Sequence, residues 1–104
     1  MKRVLVVASD NQKTGDKIGK TFQDNFVIKV CNRSIDALSQ VMVSHGACEL
    51  VFTDYYLGDI ITGLDLLKCV KKASKVVCTV LLVDSRVAID EAGKITKEVD
   101  FVIS

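Results

Sequence analysis

"CELVFTDYYLGDIITGLDLLKCVKK", residues 48–72, is the stretch that decides the fold. It opens with a short apolar run, reaches Asp54, and passes through a loop to Gly63. The residues after Gly63 then repeat with the 3.6-residue period of one helix face, at Leu64, Leu67 and Val70. A short apolar run followed by helical periodicity is typical of a βαβ unit. The stretch predicts a strand that ends at an aspartate and a helix that begins at a glycine.

The same alternation runs along the whole chain. Short runs rich in valine and isoleucine, the composition of strands buried on both faces, lie at residues 4–8, 26–30, 50–52, 76–83 and 101–103. Helical stripes between them are marked by Ile18 and Phe22, and by Ile35, Leu38, Val41 and Met42. The pattern predicts an α/β fold with a doubly wound, five-stranded parallel sheet and the strand order 2-1-3-4-5.

Helix boundaries are marked unevenly. Ser34 precedes the second stripe and is predicted to be its N-cap, and Gly63 lies where the loop turns into the third helix. The segment 86–97 predicts a short fourth helix, weakened by Gly93 at a cost of about 1 kcal/mol relative to alanine. The chain has no proline and no linker-like tract, so residues 1–104 are expected to form one domain.

Composition excludes several classes of function. A net charge of +1, with 14 basic and 13 acidic residues spread along the chain, predicts no contact with nucleic acid. No apolar run approaches the ~20 residues that span a bilayer. The four cysteines lack the spacing of a zinc site and are expected to be reduced core thiols in a cytoplasmic protein, at positions 31, 48, 69 and 78.

Aspartates follow three of the predicted strands, and these are the candidate functional residues. Asp10 follows the first strand, Asp54 the third and Asp84 the fourth. In the strand order 2-1-3-4-5 these strands are neighbours, so the carboxylates are expected to converge at one edge of the sheet. Carboxylates with water and a backbone carbonyl suit Mg²⁺. The alternative is that each aspartate caps a following helix or turn.

Residues 48–72 resemble the phosphoacceptor region of response-regulator receiver domains, which have a flavodoxin-like fold. The likeness extends over the chain through VLVVASDN, SIDALSQV, TVLLVDS and VDFVIS. It implies a signalling module of a two-component phosphorelay rather than an enzyme, with Asp54 as phosphoacceptor and a sensor kinase as partner. It also implies Mg²⁺ held by Asp10, Asp54 and the carbonyl of Tyr56.

The departures from the family pattern are equally specific. Where the family has two adjacent acidic residues after the first strand, this chain has Ala8, Ser9 and Asp10, so its single acidic residue is displaced by about one position. Asp84 aligns with the family's serine or threonine, although a one-residue slip in the loop would place the hydroxyl of Ser85 there instead, and Ser104 stands at the family's lysine. These departures favour a divergent or pseudo-receiver that works through protein contacts. The last helix of the family is missing from the sequence, so we expect an open apolar surface that forms a homodimer or binds a partner.

Two other functions stay open from the sequence alone. The turn SDNQKTGDK is similar to the phosphate-binding loop of flavodoxins, which would make the chain a small FMN-binding protein. A scaffold without any ligand is the third interpretation. His45 is expected to be a solvated loop residue, and Lys71, Lys72 and Lys75 to complement the dipole of the third helix.

Overall fold

The computed structural model describes residues 3–44, 46–58, 60–83 and 98–103. The strands are β1 (Arg3–Ala8), β2 (Phe26–Cys31), β3 (Cys48–Asp54), β4 (Cys78–Leu82) and β5 (Phe101–Ile103). The helices are α1 (Gln12–Phe22), α2 (Ser34–Val43) and α3 (Gly63–Ala73). No helix in these ranges is long and apolar enough to cross a membrane.

The five strands form one parallel sheet in the order β2-β1-β3-β4-β5. The predicted fold class and strand order are therefore confirmed. The register places Ala8 of β1 opposite Thr53 of β3, and Asp54 opposite Leu82 of β4. The carboxyl ends of the three central strands thus lie side by side at one edge of the sheet.

Each central strand is buried on both faces, because its side chains alternate between two apolar layers. On β1, Val6 and Ala8 face the layer that contains residues of α2 and α3, while Leu5 and Val7 face the layer that contains Ile18 of α1. These four of the six β1 side chains are fully buried. Burial of a valine or leucine side chain contributes roughly 1.5–3 kcal/mol, so Leu5, Val6 and Val7 each stabilise the core.

Helix α1 lies close to β2 because two glycines face that strand. A β-carbon at Gly15 would lie 2.8 Å from Cγ1 of Val30, whereas one at Gly19 would lie 3.9 Å from Cγ2 of Ile28. The absent side chain at Gly15 lets the helix backbone approach Val30. Helix α1 is thereby held against one side of the sheet, near its β2 edge.

The predicted core stripe of α2 is wrong in part. Ile35 and Met42 are 64% and 59% exposed, and the buried positions of the helix are Ser34, Ala37 and Val41. Ala37 is small, so that face of the helix can approach the sheet closely. The predicted cap is also wrong: Ser34 is the first helical residue, and the N-cap position is Arg33, whose side chain makes no capping hydrogen bond.

The fourth strand is shorter than predicted. It begins at Cys78 rather than Val76, which is exposed, and it ends at Leu82. The expectation of four core thiols is also wrong for one of them, since Cys69 is exposed on α3 while Cys48 is buried. Burial raises the pKa of the Cys48 thiol, which disfavours its thiolate.

Lys71 has a role that its position at the end of α3 did not predict. Its Nζ donates to the carbonyl of Val77 at 2.7 Å and lies 2.7 Å from Oδ2 of Asp100. The same carboxylate oxygen accepts hydrogen bonds from the amide and hydroxyl of Thr79, at 2.8 and 3.1 Å. This Lys71–Asp100–Thr79 cluster fastens the start of β5 to β4. Lys71 holds the pKa of Asp100 below its ordinary value of 3.8.

Candidate functional site at the carboxyl edge of the sheet

Asp54 is the last residue of β3 and is partly exposed at the carboxyl edge. It shares an open cavity of about 230 Å³ with Asp10, Tyr55 and Tyr56. Asp10 lies in the turn between β1 and α1 and is exposed. The structure therefore brings three of the predicted site residues, Asp10, Asp54 and Tyr56, into one cavity. Predicted site residues Asp84 and Ser85 lie outside the described residues.

A buried serine contacts the candidate phosphoacceptor directly. Ser9 follows the end of β1 and is only 4% exposed, and its Oγ donates to Oδ2 of Asp54 at 2.5 Å. Ser9 Oγ also accepts a hydrogen bond from the amide of Asn11 at 3.1 Å. Hydrogen bonds to a carboxylate are about twice as strong as neutral ones. Ser9 therefore places a neutral hydrogen-bond donor beside the carboxylate of Asp54.

Asn11 gives helix α1 its N-cap. Its Oδ1 accepts a hydrogen bond from the amide of Lys13 at 3.0 Å, and its carbonyl accepts from the amide of Thr14 at 3.1 Å. These bonds satisfy amides that are otherwise unpaired at a helix start. The turn and the first turn of α1 are thereby fixed next to Asp54 by backbone hydrogen bonds.

Helix α3 begins against the backbone of Asp54. The amide of Gly63 donates to the carbonyl of Tyr55 at 2.7 Å. A β-carbon at Gly63 would lie 1.9 Å from the carbonyl oxygen of Asp54, which no side chain could tolerate. Thr62 caps the helix, because its Oγ1 accepts from the amide of Asp65 at 3.2 Å. Gly63 was predicted from the sequence to begin this helix. It is also required because the helix start lies against the backbone of Asp54.

The loop between β3 and α3 covers one side of the cavity. Leu57 is buried in the core, Gly58 has a positive φ of 69°, and Ile60 is 95% exposed. Oδ2 of Asp10 lies 3.5 Å from where a β-carbon of Gly58 would be, so the Asp10 carboxylate lies beside this loop. The Tyr55 and Tyr56 rings contact each other edge to face at 4.7 Å between centroids.

Asp10, Asp54 and the carbonyl of Tyr56 are the candidate Mg²⁺ ligands in this cavity. Asp10 and Asp54 supply two carboxylates, and one oxygen of Asp54 is already engaged by the Ser9 hydroxyl. Among the described residues, no three His, Cys, Asp or Glu side chains are close enough to share a metal ion. Mg²⁺ requires near-ideal octahedral oxygen geometry. Mg²⁺ also keeps several waters and is usually bound through one or two carboxylates, so Asp10 and Asp54 could supply two of its ligands, with the Ser9 hydroxyl competing for one oxygen of Asp54.

The phosphate cradle of the FMN interpretation also finds no support in this geometry. Amides at the start of α1 that would bind a phosphate are used within the turn, by Asn11 Oδ1, the Asn11 carbonyl and Ser9 Oγ. Asp10 borders three cavities at this edge. It shares one with Asp54, a second with Asp65 and a third with Asp36. Carboxylates repel a phosphate group, so the acidic side chains around Asp10 disfavour an FMN phosphate at this edge.

Ser9 is the site residue whose role the sequence did not indicate. In the sequence it marks only the absence of an acidic residue. Its burial follows from the strand that precedes it, but its contact with Asp54 joins positions 45 residues apart. No local pattern in the sequence signals such a contact.

Solved structures similar to this chain include receiver domains of response regulators. A response-regulator receiver domain from Clostridium thermocellum matches 99% of this chain and 81% of its own, with a TM-score of 0.81 and 15% identity. The BeF3-activated DrrB receiver domain matches 100% and 85%, with a TM-score of 0.79 and 18% identity. A Burkholderia pseudomallei response regulator with a phosphorylated aspartic acid, a calcium ion and citrate matches 98% and 59%, with a TM-score of 0.78 and 18% identity.

No protein-family model matches the sequence, and no curated protein matches it. The structural matches cover nearly the whole chain, and all three are receivers or response regulators. The chain thus has the fold of response-regulator receiver domains, as its sequence resemblance implied.

Proposed function

We propose that this chain is a receiver-like signalling module of a phosphorelay system that has diverged into a pseudo-receiver and acts through contacts with other proteins. It is proposed to be a non-enzymatic domain spanning residues 1–104. The observation that carries the proposal is the Ser9 hydroxyl that donates to Asp54 at 2.5 Å. A neutral, buried hydroxyl takes the place beside the acceptor where the receiver pattern has an acidic residue. The Asp54 carboxylate is thereby held by a neutral donor from the end of β1.

An apolar groove supports the protein-contact part of the proposal. It lies between α1 and the β3, β4 and β5 strands, has a volume of about 340 Å³, and is bordered by Ile18, Phe22, Phe52 and Ile103. Ile103 is 50% exposed and Phe101, also on β5, is 60% exposed. Contiguous exposed apolar surface generally marks an interaction site. We propose that this groove is the contact surface of a homodimer or of a signalling partner such as a sensor kinase.

The groove is tested by sedimentation equilibrium of the wild type, Ile103→Glu and Ile60→Glu. Ile60 is a matched control, because it is also exposed but lies in the loop beside Asp54, away from the groove. For a homodimer we expect Ile103→Glu to dissociate and Ile60→Glu to behave as wild type. A monomeric wild type would exclude the homodimer and leave a heterologous partner, which the same two variants would test in a binding assay.

Phosphorylation of Asp54 in the presence of Mg²⁺ is the second candidate. Its support is the position of Asp54 at the carboxyl end of β3, in an open cavity that it shares with Asp10 and Tyr56. A carboxylate in an open cavity is accessible as a nucleophile to a phosphoryl donor. The two candidates differ in whether the pocket responds to an acyl-phosphate mimic.

That difference is measured with beryllofluoride and Mg²⁺ by tyrosine fluorescence. Tyr55 and Tyr56 are the two tyrosines of the chain, which has no tryptophan, and both border the Asp54 cavity. Asp54→Asn keeps the shape of the side chain and removes its charge, so it is the matched control. A flat titration in both proteins supports the pseudo-receiver. Saturation that is lost in Asp54→Asn would overturn it in favour of phosphorylation.

A further inference from the structure

The hydrogen bonds of Ser9 have a defined direction. Its hydroxyl has one proton and two acceptors within reach, Oδ2 of Asp54 at 2.5 Å and the carbonyl of Asn11 at 3.3 Å. The shorter bond, to a charged acceptor, takes the proton. The oxygen in turn accepts from the Asn11 amide at 3.1 Å. A continuous path thus runs from the N-cap amide of α1 through the hydroxyl to the carboxylate.

Burial makes this path persistent. Ser9 is almost completely shielded from solvent, so water does not readily replace it as the partner of Asp54. Oδ2 of Asp54 accepts the proton of the Ser9 hydroxyl, so a divalent cation that binds this oxygen would have to approach that proton. Mg²⁺ binds carboxylate oxygens at about 2.0–2.1 Å, so a cation and the hydroxyl proton would compete for the same lone pair of Oδ2.

We propose that Ser9 determines what the Asp54 pocket binds: its hydroxyl holds the carboxylate in place of a divalent cation and connects it to the N-terminus of α1. Ser9 is thus a positioning residue that sets low affinity for divalent cations. The inference rests on the proposed function in two respects, the choice of Asp54 as the functional carboxylate and the Ser9–Asp54 hydrogen bond. It requires neither a phosphoryl donor nor a protein partner.

A single substitution reverses the chemistry of the pocket. Ser9→Asp would place a carboxylate within contact distance of Asp54, in a cavity that Asp10 already borders. Three neighbouring carboxylates repel one another unless a cation lies between them. Hard oxygen ligands of this number suit Mg²⁺ and Mn²⁺. Ser9→Asn is the matched control, because it has the same shape as aspartate and no charge.

The experiment is a titration of the purified chain with Mn²⁺, in which free Mn²⁺ is measured by electron paramagnetic resonance and bound Mn²⁺ is then displaced by Mg²⁺. We expect Ser9→Asp to bind one Mn²⁺ with a Kd at least about tenfold lower than that of the wild type, equivalent to about 1.4 kcal/mol. Ser9→Asn should match the wild type. A wild type that binds as tightly as Ser9→Asp, or an Asn variant that does so, would overturn the inference.

A second measurement keeps the inference testable if Ser9→Asp does not fold. Asp54→Asn should shift the Asn11 amide resonance, because the change in the carboxylate is transmitted through the Ser9 hydroxyl. In a Ser9→Ala background the same substitution should leave that resonance unmoved. Equal shifts in both backgrounds would contradict the connection. Neither experiment depends on beryllofluoride or on dimerisation, so failure here is distinguishable from failure of the proposed function.

Discussion

Gly63→Ala is the substitution for which the structure gives the largest expected effect per added atom. The new β-carbon would lie 1.9 Å from the carbonyl oxygen of Asp54 and 2.9 Å from its carbonyl carbon. Contacts of a real β-carbon below 3.0 Å essentially never occur, so the helix start and the end of β3 must separate by more than an ångström. Both partners are backbone atoms, so no side-chain rotation relieves the clash.

The magnitude follows from two opposing effects. Overpacking of this kind costs about 1–3 kcal/mol, and a clash between backbone groups belongs at the upper end of that range. Replacing glycine by alanine in a helix returns up to about 1 kcal/mol. We therefore expect a net loss of about 2 kcal/mol in the free energy of unfolding. For a chain of this size that loss corresponds to a fall in Tm of about 8–16 °C.

The assay is urea unfolding followed by circular dichroism, with Gly19→Ala as the matched control. A β-carbon at Gly19 meets only Ile28 Cγ2, at the ordinary distance of 3.9 Å, so this variant should be stabilised by about 0.5–1 kcal/mol. Both substitutions add one methyl group to a helical glycine. If Gly63→Ala unfolds at the same urea concentration as the wild type, the close approach of α3 to Asp54 is not a feature of the folded protein.

Further predictions concern the cap, the cluster at β5 and the thiols. Asn11→Ala should lower the free energy of unfolding by about 0.5–2 kcal/mol through loss of the α1 cap, and Asn11→Asp should restore most of it in the same urea assay. Because Lys71 lowers the pKa of Asp100 from 3.8, their pairing stabilises the fold above that pH and is lost below it. The Tm difference between the wild type and Lys71→Met should therefore shrink as the pH falls below 3.8, and a difference independent of pH would contradict the pairing. Under native conditions iodoacetamide should modify Cys69 before Cys48, as peptide mass spectrometry would show, and the reverse order would exclude the burial described here.

The sheet was predictable from the sequence because its central strands are buried on both faces. Such strands appear as continuous valine-rich runs, and those runs locate the central strands β1, β3 and β4 to within a few residues. The strand order was predictable from the alternation of strands and helices along the chain, which is typical of a doubly wound sheet with the order 2-1-3-4-5. Asp54 was predictable because the polar residue that ends a buried strand lies at the edge where ligands bind.

Helix α2 was harder to orient because it is apolar on more than one side. Its sequence SIDALSQVMV gives several faces of similar hydrophobicity, so the 3.6-residue period does not select one. Packing selected the face with Ala37, which permits a close approach to the sheet, and left Ile35 exposed. The Ser9–Asp54 and Lys71–Asp100 contacts were not predictable, since each joins residues far apart in the sequence.

The Lys71–Asp100–Thr79 cluster also determines how the sheet opens. β5 pairs with β4 over only three residues, Phe101, Val102 and Ile103, so few ladder bonds hold it. The cluster fastens the start of β5 with several bonds, and at the other end the carbonyl of Ile103 accepts a hydrogen bond from the amide of Val83 at 2.8 Å. Opening of β5 should begin at Ile103 and expose its amide to hydrogen exchange while β1 stays closed. Hydrogen exchange at the amide of Val102 should then depend on release of the Lys71–Asp100–Thr79 cluster. In that case β5 unfolds as a unit separate from the rest of the sheet.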